Sequence, residues 1–157
     1  MKTAAVLTIS DSSFRRERED LSGPAVARQL DAAGFTVVHR SVLPDEKDQI
    51  QARLIECCEL TRLVVTTGGT GVAARDVTPE ATRPILEKTI DGIPERMRTE
   101  GLKKTPYAVL SRGLCGVRGK TLILNLPGNP AGATESLSSV IGLLGHIIDM
   151  LDRRTGH

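Results

Sequence analysis

The sequence predicts a three-layer α/β/α sandwich around a mostly parallel, mixed sheet, carried by a single domain over residues 1–157. Three observations point there. Strand-length apolar runs alternate with amphipathic helical patterns, which is the order of βαβ units. The runs 4–9 and 63–67 are continuously apolar or threonine-bearing rather than alternating, as in strands buried on both faces. The last two strand-like runs lie too close in sequence for a helical crossover, so they pair antiparallel and mix the sheet.

Each element has a local reason. The first run, 4–9, ends at Ser10-Asp11-Ser12-Ser13. Ser22-Gly23-Pro24 opens a helix with Val26, Leu30 and Ala33 on one face and Gly34 as its C-cap. Residues 35–43 form the second strand. Pro44-Asp45-Glu46 starts a helix with Ile50, Leu54, Ile55 and Cys58 on one side. The third strand, 63–67, runs into Gly68-Gly69-Thr70-Gly71. Thr78-Pro79-Glu80 has the order of N-cap, first-turn proline and first-turn acid, and the helix it opens runs to about Ile90. Residues 94–100 make a short helix. Residues 107–110 and 121–126 read as strands, separated by a connection holding Gly113, Gly116 and Gly119. The turn 126–130 then opens a last helix, in which Ala133, Leu137, Val140, Ile141, Leu144, Ile147, Ile148 and Leu151 recur with helical period.

Composition excludes several functions. The chain has 39% hydrophobic and 25% charged residues, the balance of a soluble globular protein. Lys+Arg 21 against Asp+Glu 19 leaves +2, which is no field for a polyanion. No Trp, one Tyr and two Phe cannot build a stacking platform for nucleic acid. Cys57, Cys58 and Cys115 are odd in number and lack C-x-x-C spacing, so they read as buried thiols rather than a disulfide framework or zinc site. His39, His146 and His157 are scattered and offer no ligand cluster. The N-terminus has no signal pattern, and the longest apolar stretch, 137–151, falls short of the roughly 20 residues a span needs. The expectation is a cytoplasmic protein with neither membrane nor nucleic-acid partner.

In an open parallel sheet, ligands bind beyond the carboxyl ends of the strands. That edge collects Ser10 and Asp11, then Asp45, then Thr67, Gly68, Gly69, Thr70, Gly71 and Asp76, and finally Pro127, Gly128 and Asn129. Carboxylates beside glycine-rich backbone suit a phosphorylated ligand bridged by a divalent cation. Asp45 stands where an N-cap belongs, so capping and chemistry are both open. Asp11 among serines can close an Asx turn or serve a ligand. Asp76 is not needed as a cap, because Thr78 takes that place. Asn129 before Pro130 is an N-cap. The charged run 15–20 reads as a solvated loop, with an arginine reaching a triphosphate as the alternative. Gly69 to Ala74 matches G-x-G-x-x-A only formally, since it follows the third strand and the helix start lies beyond it. No Walker loop and no G-x-S-x-G elbow occurs.

Taken together, these segments resemble the MoaB/Mog family of molybdenum-cofactor biosynthesis proteins. The resemblance rests on Thr66-Thr67-Gly68-Gly69-Thr70-Gly71, the stretch Arg75-Asp76-Val77-Thr78-Pro79-Glu80-Ala81-Thr82, Leu110-Ser111-Arg112 and Asn125-Leu126-Pro127-Gly128-Asn129-Pro130, with Ser10-Asp11 and Pro44-Asp45-Glu46 before them. It spans nearly the whole chain. It implies a molybdopterin-binding fold, similar to the G domain of gephyrin, and Mg²⁺-dependent transfer of AMP from ATP to molybdopterin with release of pyrophosphate. Asp45 and Asp76 match the family's two essential aspartates and would bind or orient Mg²⁺. The glycine loop, Ser111 and the 127–129 turn would line the substrate and ATP site. The resemblance further implies a homotrimer, or else a hexamer, and hand-over to a molybdate insertase or another protein of the cofactor pathway. Two rivals differ in class. One is a non-catalytic molybdopterin-binding module of MoaB type. The other is the related competence-damage-inducible domain, which acts on pyridine nucleotides and usually accompanies an amidase domain.

Overall fold

The computed structural model describes residues 2–153; His157 lies outside them. In chain order the elements are β1 (Thr3–Ile9), α1 (Asp11–Phe14), α2 (Ser22–Ala32), β2 (Thr36–Leu43), α3 (Lys47–Leu60), β3 (Leu63–Thr67) and α4 (Thr78–Thr82). A 3₁₀ turn over Arg83–Ile85 follows, then β4 (Lys88–Thr89), α5 (Gly92–Gly101), a second 3₁₀ turn over Pro106–Leu110, β5 (Cys115–Arg118), β6 (Thr121–Leu126) and α6 (Pro130–Asp152). The six strands form one sheet in the order β2-β1-β3-β6-β5-β4. Strands β2, β1, β3 and β6 are parallel, and β5 runs antiparallel to both its neighbours.

Strict alternation sends each central strand into two cores. Ala4 and Val6 of β1, Leu63 and Val65 of β3, and Leu122 and Leu124 of β6 face α2, α5 and α6. Ala5, Leu7, Val64 and Ile123 face the other way, against Ile50, Leu54 and Cys57 of α3 and Ala81 of α4. Both faces are covered, which is why these strands read as unbroken apolar runs. Helix α6 is long and apolar enough by length and composition to cross a membrane, longer than the stretch read from sequence. Here it lays Leu137, Val140, Leu144 and Ile148 into the first core.

Five local expectations need correction. The helix opened at Thr78 stops at Thr82 and tightens to a 3₁₀ turn, because Pro84 has no N–H to continue the ladder. Its N-cap is Val77, and the Thr78 hydroxyl donates instead to Gly68 O at 2.9 Å. Residues 107–110 are a 3₁₀ turn rather than a strand: Thr105 caps it by accepting from Tyr107 N–H, and Pro106 occupies its start. The antiparallel partner of β6 is therefore β5, inside the glycine-rich connection. Gly116 is required there, since a Cβ would lie 2.5 Å from Lys88 O. In α3 it is Cys57, not Cys58, that turns fully into the core, and Ala33 at the end of α2 is exposed.

The chain leaves β1 toward β2 on one side and enters β3 on the other, so the sheet's direction of winding reverses between β1 and β3. The carboxyl ends of those two strands, at Ile9 and Thr67, mark the switch point where open α/β sheets bind ligands.

Candidate active site

The glycine loop after β3 is built by what it lacks. Gly68 and Gly69 have φ of +103° and +68°, a region that favours glycine. A Cβ on Gly68 would sit 2.1 Å from Ile9 O, so β1 and the loop touch backbone to backbone. Gly68 N–H donates to Leu126 O at 3.0 Å, and Gly128 packs on Gly68. The buried Thr67 hydroxyl donates to Pro127 O at 2.8 Å, joining the loops after β3 and β6. That commits the Thr67 hydroxyl to the fold.

Two carboxylates flank this loop. A Cβ on Gly69 would strike the Thr78 hydroxyl first and also meet Asp45 Oδ1 at 3.2 Å, and one on Gly71 would meet Asp76 Oδ2 at 2.8 Å. Asp45 does not cap α3, whose N-cap is Glu46 with no side-chain cap bond. Its carboxylate turns back toward β1. Asp11 N–H donates to Asp45 Oδ2 and Asp45 N–H donates to Asp11 Oδ1, each at 2.9 Å. This reciprocal pair locks the loops after β1 and β2 together across 34 positions of chain. Burial pushes the Asp45 carboxyl above the usual range; the Asp11 N–H bond opposes this, and the charges of Asp11 and Asp76 add to it. Asp11 goes the other way, held low chiefly by Arg75, which donates to both its oxygens at 3.0 Å and to Glu46 at 3.0 Å. Asp76 Oδ2 accepts from Ala73 N–H at 3.0 Å, closing its own turn. Ser10 caps α1 by accepting from Ser13 N–H.

A cleft of about 1050 Å³ opens from this edge. Among the residues singled out from sequence, it is lined by Gly69, Thr70, Gly71, Asp76, Ser111, Pro127, Gly128 and Asn129. Asn129 caps α6 through Gly132 N–H, so the positive end of a 23-residue helix faces the cleft. Ser10, Asp11, Asp45, Thr67 and Gly68 stand behind or beside the loop rather than in that lining. The sequence motifs do not mark the rest of the wall. It comes from α5 and the following turn, with Met97, Arg98, Lys103, Lys104 and Tyr107. The adjacent lysines and the chain's single tyrosine were the available signal. In sequence, Arg75 and Arg112 are motif members with no separate signal of their contacts.

Comparison with known proteins decides the family. The model of a probable molybdopterin binding domain matches residues 5–146. The chain belongs to this molybdopterin-binding family. A Drosophila melanogaster protein named molybdenum cofactor synthesis protein cinnamon is 46% identical over 153 residues, 95% of this chain; the chain spans only 25% of that protein. A Helicobacter pylori molybdopterin adenylyltransferase is 41% identical over 150 residues, 93% of this chain and 85% of its own length. The crystal structure of the molybdopterin biosynthesis enzyme MoaB of Thermus thermophilus superposes with a TM-score of 0.89 at 47% identity, covering 96% of each chain. The family and fold read from the motifs are thereby met, the sandwich and its mixed sheet included.

The loop geometry yields a prediction for this molybdopterin-binding family member. Gly71→Val should weaken binding of a phosphorylated ligand, measured by calorimetry, while the thermal melt barely moves. Gly71 is half-buried and the atom its Cβ would strike belongs to Asp76, at the ligand edge. Unchanged affinity with a lowered melting temperature would make that glycine merely structural. Gly68→Ala should do the reverse, since its Cβ would strike the backbone of β1.

Proposed function

We propose that this protein is a molybdopterin adenylyltransferase of molybdenum-cofactor biosynthesis, transferring AMP from ATP to the terminal phosphate of molybdopterin. The observation that carries the proposal is a glycine loop flanked by two carboxylates, Asp45 beside Gly69 and Asp76 beside Gly71, at the edge of the cleft. Backbone without Cβ admits phosphate oxygens closely, and two carboxylates wait beside it. The related adenylyltransferase names support the reading.

The chemistry needs positioning more than a protein nucleophile. An oxygen of the terminal molybdopterin phosphate attacks the α-phosphorus of ATP, forming one P–O bond as the bond to pyrophosphate breaks. Two anions must be held together, so orientation and charge neutralisation dominate the barrier. Asn129 and the start of α6 offer N–H groups to an anion. The thiols stand apart from this work: burial pushes Cys58 up to about 11 and Cys115 up to about 12. Both stay protonated at neutral pH.

Mg²⁺ fits this donor set. Among the described residues no group of three or more His, Cys, Asp or Glu could hold a metal. A cation held by one or two carboxylates and the substrate's own phosphates needs no such group. Asp45 and Asp76 would hold it, and their mutual repulsion, part of what pushes Asp45 up, is what a hard cation relieves. When bound, the ion would supply charge neutralisation on the triphosphate.

The test is incubation with ATP, Mg²⁺ and molybdopterin, reading pyrophosphate and adenylylated molybdopterin. Both should appear, fall in excess chelator and return on adding Mg²⁺. Molybdopterin binding without any AMP transfer would leave a carrier of the MoaB type. The same proposal includes a homotrimer in the cytoplasm that passes its product to a molybdate-inserting partner; sedimentation would read the assembly.

A further inference from the structure

We infer that Arg112 is a positioning residue whose guanidinium holds the glycine loop and the Asp76 turn in register with one another. It sits between the Pro106–Leu110 turn and β5. Its Nε donates to Gly71 O at 2.8 Å and its Nη2 to Asp76 O at 3.0 Å. Nη1 and Nη2 also grip the Glu80 carboxylate at 2.7 and 3.1 Å. Its own backbone N–H donates to Thr70 O at 2.8 Å. One residue thereby touches the loop at Thr70 and Gly71, the peptide after Asp76, and the first turn of α4.

An exposed ion pair with Glu80 would not by itself demand this arrangement, and would be worth little. The two carbonyl contacts are the informative ones. Between Gly71 and Val77 the chain has neither helix nor strand, and Val72 to Arg75 are exposed. Within that stretch the hydrogen bonds are those between Ala73 and Asp76. Fixing a carbonyl fixes its whole peptide plane. Arg112 therefore sets the plane following Gly71 and the plane following Asp76, the two ends of the segment that presents Asp76 to the cleft. Only a guanidinium has rigid donors pointing at a carboxylate and two carbonyls together; a lysine ammonium is a single point charge on a flexible stem.

The inference rests on the proposed adenylyl transfer only for its catalytic consequence. The test compares wild type, Arg112→Lys, Arg112→Gln, Asp76→Asn, the Arg112→Lys/Asp76→Asn double variant, and Glu80→Gln. It reads AMP transfer, thermal melting and amide hydrogen exchange over residues 70–76. Arg112→Lys and Arg112→Gln should exchange faster over 70–76 with unchanged protection in β6. Arg112→Lys should lose about tenfold or more in kcat, yet cost less than about threefold when Asp76 is already Asn, because the two act as a unit. Glu80→Gln leaves both carbonyl contacts and should keep wild-type exchange there. Unchanged exchange over 70–76 in both Arg112 variants overturns the inference, as does a fully multiplicative loss in the double variant. If wild type transfers no AMP, the adenylyl reading fails while the exchange comparison still decides the clamp in the same two directions.

Discussion

Replacing Asp76 by Asn should lower AMP transfer by about two or more orders of magnitude, since metal-assisted charge stabilisation is worth several kcal/mol. The structure makes this substitution cleaner than sequence alone implies. Asp76 is not free of local duty: its Oδ2 closes the turn to Ala73 N–H at 3.0 Å. The amide oxygen of Asn keeps that acceptor and loses only the charge. Asp76→Ala loses both. If turn closure were the whole role, Asn would turn over like wild type and Ala alone would fail. On the proposed function, Asn and Ala fail alike, and Asn melts like wild type. Single-turnover formation of adenylylated molybdopterin, read beside a melt, separates the two; near-wild-type turnover in Asp76→Asn would sink the proposal.

Asp45→Asn should cost catalysis a similar factor, about two orders of magnitude by the same argument, with a different signature in stability. The carboxyl is pushed up in the fold by burial first, with the charges of Asp11 and Asp76 adding to it. A group whose folded value lies above its unfolded one takes up protons on folding. Stability from Asp45 therefore rises as pH falls through the raised value, and is lost above it. Asp45→Asn removes the cost of the buried charge while its amide oxygen can still accept from Asp11 N–H. It should melt no lower than wild type at neutral pH and show a flatter dependence of melting temperature on pH. A variant that melts well below wild type and keeps its turnover would place Asp45 in the fold rather than in the reaction.

Much of this architecture was legible because burial leaves a periodic trace. β1, β3 and β6 carry apolar side chains toward two cores at once, so their runs are continuous in sequence. α6 shows its stripe for the complementary reason, having one core to face. What escaped had no such trace. β4 is two exposed residues, Lys88 and Thr89, held by pairing alone. β5 contains Gly116, whose missing side chain reads as a loop but serves a close crossing with Lys88. At 107–110 Tyr, Val and Leu give a strand-like composition to what is a 3₁₀ turn, although Thr105-Pro106 carries the helical start. At the site, motif order located the loops after β3 and β6. It gave no access to Asp11–Asp45 pairing or to the reach of Arg112, since both are contacts between segments more than thirty positions apart.

The reversal of winding between β1 and β3 also bears on how the molecule is assembled in time. β5 and β6 are joined by a tight connection at Gly119, where Arg118 pairs with Thr121, so they can zip locally. Asn125 reaches Thr66 across 59 positions, and Asp11 reaches Asp45 across 34. Those closures pay loop entropy before any contact rewards them. The hairpin can therefore form early, while the edge holding Asp45, the glycine loop and Asp76 is completed only when the distant strands have met. A nascent chain in which β6 has yet to dock beside β3 has a partial sheet without the Thr67–Pro127 and Gly68–Leu126 contacts that shape the glycine loop, so the site we propose would be completed only with that long-range pairing.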